Sequence, residues 1–274
     1  MAKFLIAWAD GIGTQKLDPE DVRSVLIDVV RRLETGLRGH GHEVASAKVM
    51  WKASMAGIGG PTSWDDAAAE GLVLLDEIIR LRATGDTKII LLGYSGGCKV
   101  IHDWIDTQPH TVREGRIAAV GLLSDPFRPS AAYQADTPDP GGYGICGSRV
   151  GIPGRTFWTS FHADVISSCP ADSPLRTLAD LSDKIPGSFL EDFSQHMRLG
   201  NWQLANYIKL WKRDPLAYLR NLPRRMDEAR RGVEGYLGSA HTLAYTREFA
   251  TYDKPTDRRP LTFRLADSIA WKVR

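Results

Sequence analysis

The stretch Lys88 to Leu92 is apolar after its first residue. It runs directly into Gly93-Tyr94-Ser95-Gly96-Gly97 and then into Cys98 to Ile105, a segment that forms a helix with one apolar face. A buried strand, a turn of small residues and a helix in immediate succession leave few folds open. Only glycines give the backbone the freedom for so sharp a reversal and let helix and strand approach closely. The reversal sets Ser95 at the tip of the turn. A serine hydroxyl is a poor nucleophile in water, so an enzyme that uses one must expose it, aim it and place a base beside it. The elbow supplies the first two.

Strands and helices alternate through the rest of the first two thirds. Phe4 to Trp8 reads as a strand, and Pro19 to Leu37 as an amphipathic helix with Val22, Val25, Leu26, Val29, Val30 and Leu33 on one face. Asp18 is placed to cap that helix, with Pro19 at its first position. Val44 to Trp51 is the second predicted strand, and Trp64 to Arg82 the next predicted helix, capped by Ser63. After the elbow come an apolar run from Ile117 to Leu123 and a strand from Arg155 to Phe161 that ends near His162-Ala163-Asp164. This order predicts an α/β chain with a mostly parallel sheet covered by helices on both faces.

Past Pro186 the texture changes. Residues 187–237 are rich in Leu, Arg, Trp and Tyr at helical spacing, with Pro215 and Pro223 as breaks, and predict a helical insertion within a single domain spanning 1–274. Its aromatics Trp202, Tyr207, Trp211 and Tyr218 read as packing residues, with a lid over an apolar substrate as the sharper alternative. Leu261-Thr262-Phe263-Arg264-Leu265 reads as a terminal strand.

Composition narrows the function classes. With 43% hydrophobic and 25% charged residues over 274 positions, the chain is long and apolar enough to bury a sizeable core. A formal net charge of +2 gives no reason to expect a nucleic-acid partner, and Arg224-Arg225 and Arg230-Arg231 read as a solvated helix face. No segment has the length of a membrane span, and the apolar run at the N-terminus is too short for a signal sequence, so synthesis in the cytoplasm without a signal peptide is expected. Cys98, Cys146 and Cys169 have no metal-ligand spacing. Cys146 with Cys169 is the pair that can be tested for a disulfide, and Cys98 reads as a small buried hydrophobe.

A serine at an elbow needs a histidine and an acid. In this architecture the order along the chain is Ser, then Asp or Glu, then His, each at the carboxyl end of a strand or in a later loop. Of His40, His42, His102, His110, His162, His196 and His241, only the last two or three come late enough. His162 precedes any acid in that order, and His196 falls in the helical insertion. His241, in the small-residue run Gly238-Ser239-Ala240-His241-Thr242, is the preferred general base. Asp164 directly follows a predicted strand and is the preferred orienting acid, ahead of Asp125, whose Asp-Pro-Phe context suggests a structural turn, and Asp172. For the oxyanion, one donor is the Gly96 N–H. The second is sought in the only Gly-rich loop after an early strand, Asp10-Gly11-Ile12-Gly13-Thr14-Gln15, where Ile12 or Gly11 N–H is the candidate and Thr14 or Gln15 a buttress. That loop lacks the pattern of a phosphate-binding turn. No metal and no organic cofactor is expected.

Taken together, the loop at Gly11 to Gln15, the elbow at Ser95, the Ser124-Asp125-Pro126-Phe127-Arg128-Pro129 strand end, the His162-Ala163-Asp164-Val165 acid loop and the late His241 resemble the mycobacteriophage lysin B family of cutinase-like serine esterases. The resemblance spans most of the chain, and 187–237 corresponds to a helical linker between acid and histidine. It implies an α/β-hydrolase fold, with Ser95 as nucleophile, Asp164 as orienter and His241 as base. It also implies a lipid-ester partner, the mycolyl-arabinogalactan of the cell envelope, cleaved during phage lysis. Two residues depart from the family pattern. Asp10 stands where His commonly precedes the loop glycine, and an acid there opposes charge on a nearby oxyanion. Gly96 stands where the elbow usually carries Gln. The rival expectation is an envelope-binding phage tail component with little or no activity, or a generic cutinase or lipase. Oligomeric state, acyl-chain preference and the alcohol released stay open.

Overall fold

The computed structural model describes residues 1–14, 24–55, 58–134, 136–176, 215–237, 239–247 and 257–274. Among them, five strands form one sheet: β1 (Lys3–Ala9), β2 (Glu43–Lys48), β3 (Lys88–Tyr94), β4 (Ile117–Leu123) and β5 (Thr156–Thr159). Their order is β2-β1-β3-β4-β5 and every pairing is parallel. The mostly parallel sheet expected from the alternation of elements is present.

Period-two packing explains why the central strands read as apolar runs. Leu5, Ala7, Ile89 and Leu91 face one core, together with Trp64, Ala67 and Leu75 of α2 (Trp64–Arg82) and Val100, Ile101 and Trp104 of α3 (Gly97–Thr107). Phe4, Ile6, Ile90 and Leu92 face the other, with Val29, Val30 and Leu33 of α1 (Ile27–Gly39). Both faces are therefore dry, and alternation of polar and apolar residues disappears. Each large aliphatic side chain buried in this way contributes about 1.5–3 kcal/mol relative to exposure.

Several element ends differ from the sequence reading. α1 begins at Ile27. Val25 and Leu26 are buried in the turn before it, and the expected cap at Asp18 and Pro19 lies outside the described residues. β2 stops at Lys48, because Trp51 turns away to donate its indole N–H to the Asp10 carbonyl at 3.0 Å. α2 has the expected bounds. Ser63 Oγ accepts from the Asp66 N–H at 3.1 Å and donates to its carboxylate at 2.7 Å, a reciprocal cap that stabilises the helix by about 1 kcal/mol. A short helix not expected from sequence, α4 (His110–Gly115), precedes β4.

Of the helical insertion expected over 187–237, the described part is α5 (Pro215–Leu237). Trp202, Tyr207 and Trp211 lie outside the described residues, as does the side chain of Tyr218. Pro223 was expected to break the insertion and instead sits inside α5. Pro223 removes one backbone hydrogen bond, and the i,i+4 pairs Arg224 with Glu228 and Arg230 with Glu234 lie on a solvated face of the expected kind. Leu261 to Leu265 is not a strand. It opens α7 (Leu261–Val273), which follows α6 (Leu243–Thr246) and lays Leu261, Leu265 and Ile269 on the same core as α1. All three cysteines are free, Cys146 and Cys169 included.

Candidate active site

With this strand order the connection from β1 and the connection from β3 leave toward opposite faces of the sheet. A crevice opens at the carboxyl ends of those two strands. The loop after β1 and the elbow after β3 meet there.

Ser95 has a positive φ of 52°, a conformation that costs a non-glycine residue about 1–3 kcal/mol and persists only where its surroundings impose it. Here they do. The Ser95 N–H donates to Leu123 O at 3.0 Å across to β4, and Ser95 O accepts from the Cys98 N–H at 2.9 Å. The glycines around it are dictated by neighbours. A Cβ on Gly93 would sit 2.9 Å from Cys98 Cα, and one on Gly97 only 2.2 Å from Ala9 O, so strand and helix can close on the turn only if both positions lack side chains.

Ser95 Oγ lies 2.9 Å from His241 Nε2, and His241 Nδ1 lies 3.1 and 3.2 Å from the two carboxylate oxygens of Asp164. All three residues are buried. The structure thus joins the three residues that sequence reasoning preferred. Burial alone would raise the pKa of Asp164. The charge and hydrogen bond of His241, with hydrogen bonds from Ser124 and Tyr245, outweigh it and hold the acid below the usual carboxylate range. An ionised Asp164 fixes the tautomer in which Nδ1 carries the proton and Nε2 is free to accept one from Ser95.

Gly11 lies directly over Ser95: a Cβ there would stand 3.0 Å from Ser95 Cβ and 3.2 Å from the Tyr94 ring. Ile12 fills the space beside Gly96, where a Cβ would fall 2.6 Å from Ile12 Cγ1. This gives a physical reason for glycine at 96. The loop is pinned by Gly13 N–H to Ala53 O at 2.8 Å and by Thr14 Oγ1 to Gly11 O at 2.6 Å, while Gln15 lies outside the described residues. Asp10 does not oppose charge in the way its sequence position suggests. Its carboxylate is buried, 3.0 Å from Lys48 Nζ, and accepts from Ser24 Oγ at 2.9 Å. The charge is compensated inside the fold.

The alternative acids are committed elsewhere. Asp125 Oδ2 meets His102 Nε2 at 2.9 Å and the Trp158 indole N–H at 3.0 Å, while its Oδ1 takes the Phe127 N–H at 2.9 Å, the structural turn expected of Asp-Pro-Phe. Asp172 pairs with Arg224 and Arg225 of α5. His162 is exposed against Phe161, and His196 lies outside the described residues.

Contacts made by four residues were not foreseen from sequence. The Tyr94 hydroxyl donates to His241 O at 2.5 Å, and the Tyr94 ring stacks on the imidazole at 5.3 Å between centroids. Tyr236 covers the ring from α5 at 4.7 Å. Tyr245 donates to Asp164 Oδ2 at 2.7 Å, and so does Ser124, at 2.5 Å. The only signals in the sequence were weak: Tyr245 stands one helical turn past His241, and Ser124 ends a strand next to the elbow strand. Among the described residues no cluster of His, Cys, Asp and Glu could hold a metal ion.

No protein-family model and no curated protein sequence matches the chain. Solved structures do. Lysin B from mycobacteriophage D29 superposes with a TM-score of 0.52 at 15% identity, over 80% of this chain and 90% of that one. A cutinase-like protein from a Cryptococcus species gives 0.45 at 14% identity, over 61% and 79%. The parallel five-stranded sheet, its flanking helices and the superposition on lysin B show that this chain has an α/β-hydrolase fold.

Proposed function

We propose that this chain is a serine esterase that hydrolyses lipid esters by acyl-enzyme chemistry. The observation that carries the reading is the continuous relay from Ser95 Oγ through His241 to Asp164, with Ser95 held at a positive φ on an elbow. In this reading Ser95 attacks the ester carbonyl and His241 takes its proton through Nε2. The Gly96 N–H and the N–H of Ile12 or Gly11 receive the oxyanion. His241 returns the proton to the leaving alcohol, and water admitted through the same base then releases the fatty acid. Asp164 stays ionised throughout and stabilises the imidazolium.

The narrower substrate in this proposal is the ester that joins mycolic acid to arabinogalactan in a mycobacterial-type envelope, reached after release from the host cytoplasm during phage lysis. The lysin B resemblance in the motif order and the superposition over most of both chains support it. Turnover of a p-nitrophenyl ester series by the wild type and Ser95→Ala tests the chemistry. The expected loss in the variant is at least about 10³-fold, and equal rates would sink the esterase reading. Release of free mycolic acid from purified mycolyl-arabinogalactan tests the substrate, and hydrolysis of simple esters without that release would reduce the reading to a generic esterase.

A further inference from the structure

We infer that Ser124 is a positioning residue for the relay, its hydroxyl fixing the Asp164 carboxylate against the His241 ring. The inference rests on the esterase reading for its catalytic consequence and on geometry for its placement. β3 and β4 run in parallel register with Tyr94 opposite Leu123, so the next residues, Ser95 and Ser124, end neighbouring strands side by side. Both adopt the left-handed region, Ser95 at φ 52° and Ser124 at φ 49°. The second of these strained serines has no role in the triad, yet its N–H is tied to Thr159 O at 3.0 Å on β5, the strand that leads to Asp164. Its side chain is fully buried.

Ser124 Oγ lies 2.5 Å from Asp164 Oδ2 and 3.1 Å from His241 Nδ1. The Nδ1–H points to Asp164, so the hydroxyl donates its one proton to the carboxylate and turns a lone pair toward the imidazole. The shorter contact is the charge-assisted one and dominates. The same carboxylate oxygen accepts from Tyr245, and Asp164 Oδ1 accepts the Ile166 N–H at 3.1 Å. Asp164 is therefore gripped from β4, from α6 and from its own loop.

The groups facing this pair are Tyr94 from β3, Tyr236 from α5 and Tyr245 from α6, with Asp10 close enough to act on Tyr94. Burial, and then the negative charge of Asp164, raise all three tyrosines above the ordinary phenol range, so they add no charge beside the relay. Removing the Ser124 donor leaves the Asp164 charge less compensated. The imidazolium is then held more tightly, and the acid limb of kcat/KM, which requires neutral His241, moves to higher pH.

The test measures kcat, KM and the pH profile of ester hydrolysis for the wild type, Ser124→Ala and Ser124→Gly, with the His241 imidazole titration followed by NMR in each. Glycine removes the same hydroxyl while relieving the positive φ, so backbone strain and hydroxyl loss are separated. The expected result in both variants is a kcat lowered about tenfold with KM unchanged, and an acid limb and NMR titration displaced upward from the wild type. Tyr245→Phe, which removes the other donor to the same oxygen, is expected to move the limb in the same direction. A wild-type limb and kcat in both Ser124 variants would overturn the inference, as would collapse of both, which would make the hydroxyl purely structural. Turnover that survives Ser95→Ala would instead defeat the esterase reading, and the NMR titration would still decide the placement of Ser124.

Discussion

At the residue scale, the candidate relay depends on three side chains delivered by separate parts of the chain: the β3 elbow, the loop after β5 and the turn after α5. Two buried acid–histidine pairs lie within the same fold, Asp164 with His241 and Asp125 with His102, each at hydrogen-bond distance. Only the first reaches Ser95. Replacing Asp164 with Asn is therefore expected to lower kcat by roughly 10³–10⁴-fold by stabilising the wrong imidazole tautomer. Asp125→Asn is expected to act on stability, because its oxygens take the Phe127 N–H and the Trp158 indole. Ester hydrolysis and thermal melts of both variants check this, and the assignment is wrong if Asp125→Asn abolishes turnover while Asp164→Asn spares it. The order of serine, acid and histidine made the three residues legible in the sequence, since a parallel sheet delivers its loops to one edge. Ser124 and Tyr94 were not legible, because their contacts cross strands and depend on register, which no local pattern encodes.

At the element scale, long segments with one dominant period were read well. α2 carries its apolar residues over its whole length and has a serine cap, and its bounds were read correctly. The C-terminal segment was misread because five residues satisfy two periods at once: Leu261, Phe263 and Leu265 alternate as a strand would. Only the longer window, with Leu265, Ala266, Ile269 and Ala270 buried, reveals the helix. That helix is a structural member of the sheet's second face. A Cβ on Gly121 of β4 would lie 2.7 Å from Ile269 Cδ1, so helix and strand are in direct contact. Ile269→Ala is expected to destabilise the fold by about 2–5 kcal/mol, read from urea unfolding, with ester hydrolysis unchanged well below the melting point. A loss under about 0.5 kcal/mol would show that Ile269 adds little to the packing of α7 on the sheet.

At the scale of the whole molecule, the fold is held by two dry layers on a parallel sheet and by buried polar anchors, with no disulfide among its cysteines. Arg264, fully buried, reaches the carboxylates of Asp136 and Asp257 from α7, and Asp10 meets Lys48 across the ends of β1 and β2. Such pairs are costly to break singly, because the partner left behind is a buried charge. The melting temperature is accordingly expected to be the same with and without a thiol reductant, measured by differential scanning fluorimetry. A fall of several degrees in reductant would reveal a cross-link between Cys146 and Cys169.

The bond from the Tyr94 hydroxyl to the backbone carbonyl of His241 has a further consequence. Tyr94 ends β3 directly before Ser95, so Ser95 and His241 are gauged against one rigid ruler. The spacing between them is set where they meet and not by the path the chain takes to get there. The stretch that separates Asp164 from His241 is tied to the relay where Ile166 holds the carboxylate and Tyr236 covers the imidazole, and the length of chain between those two residues does not set the spacing of Ser95 and His241. That length can differ for a new target surface, provided that the turn at Ala240 to Thr242 still returns to the tyrosine.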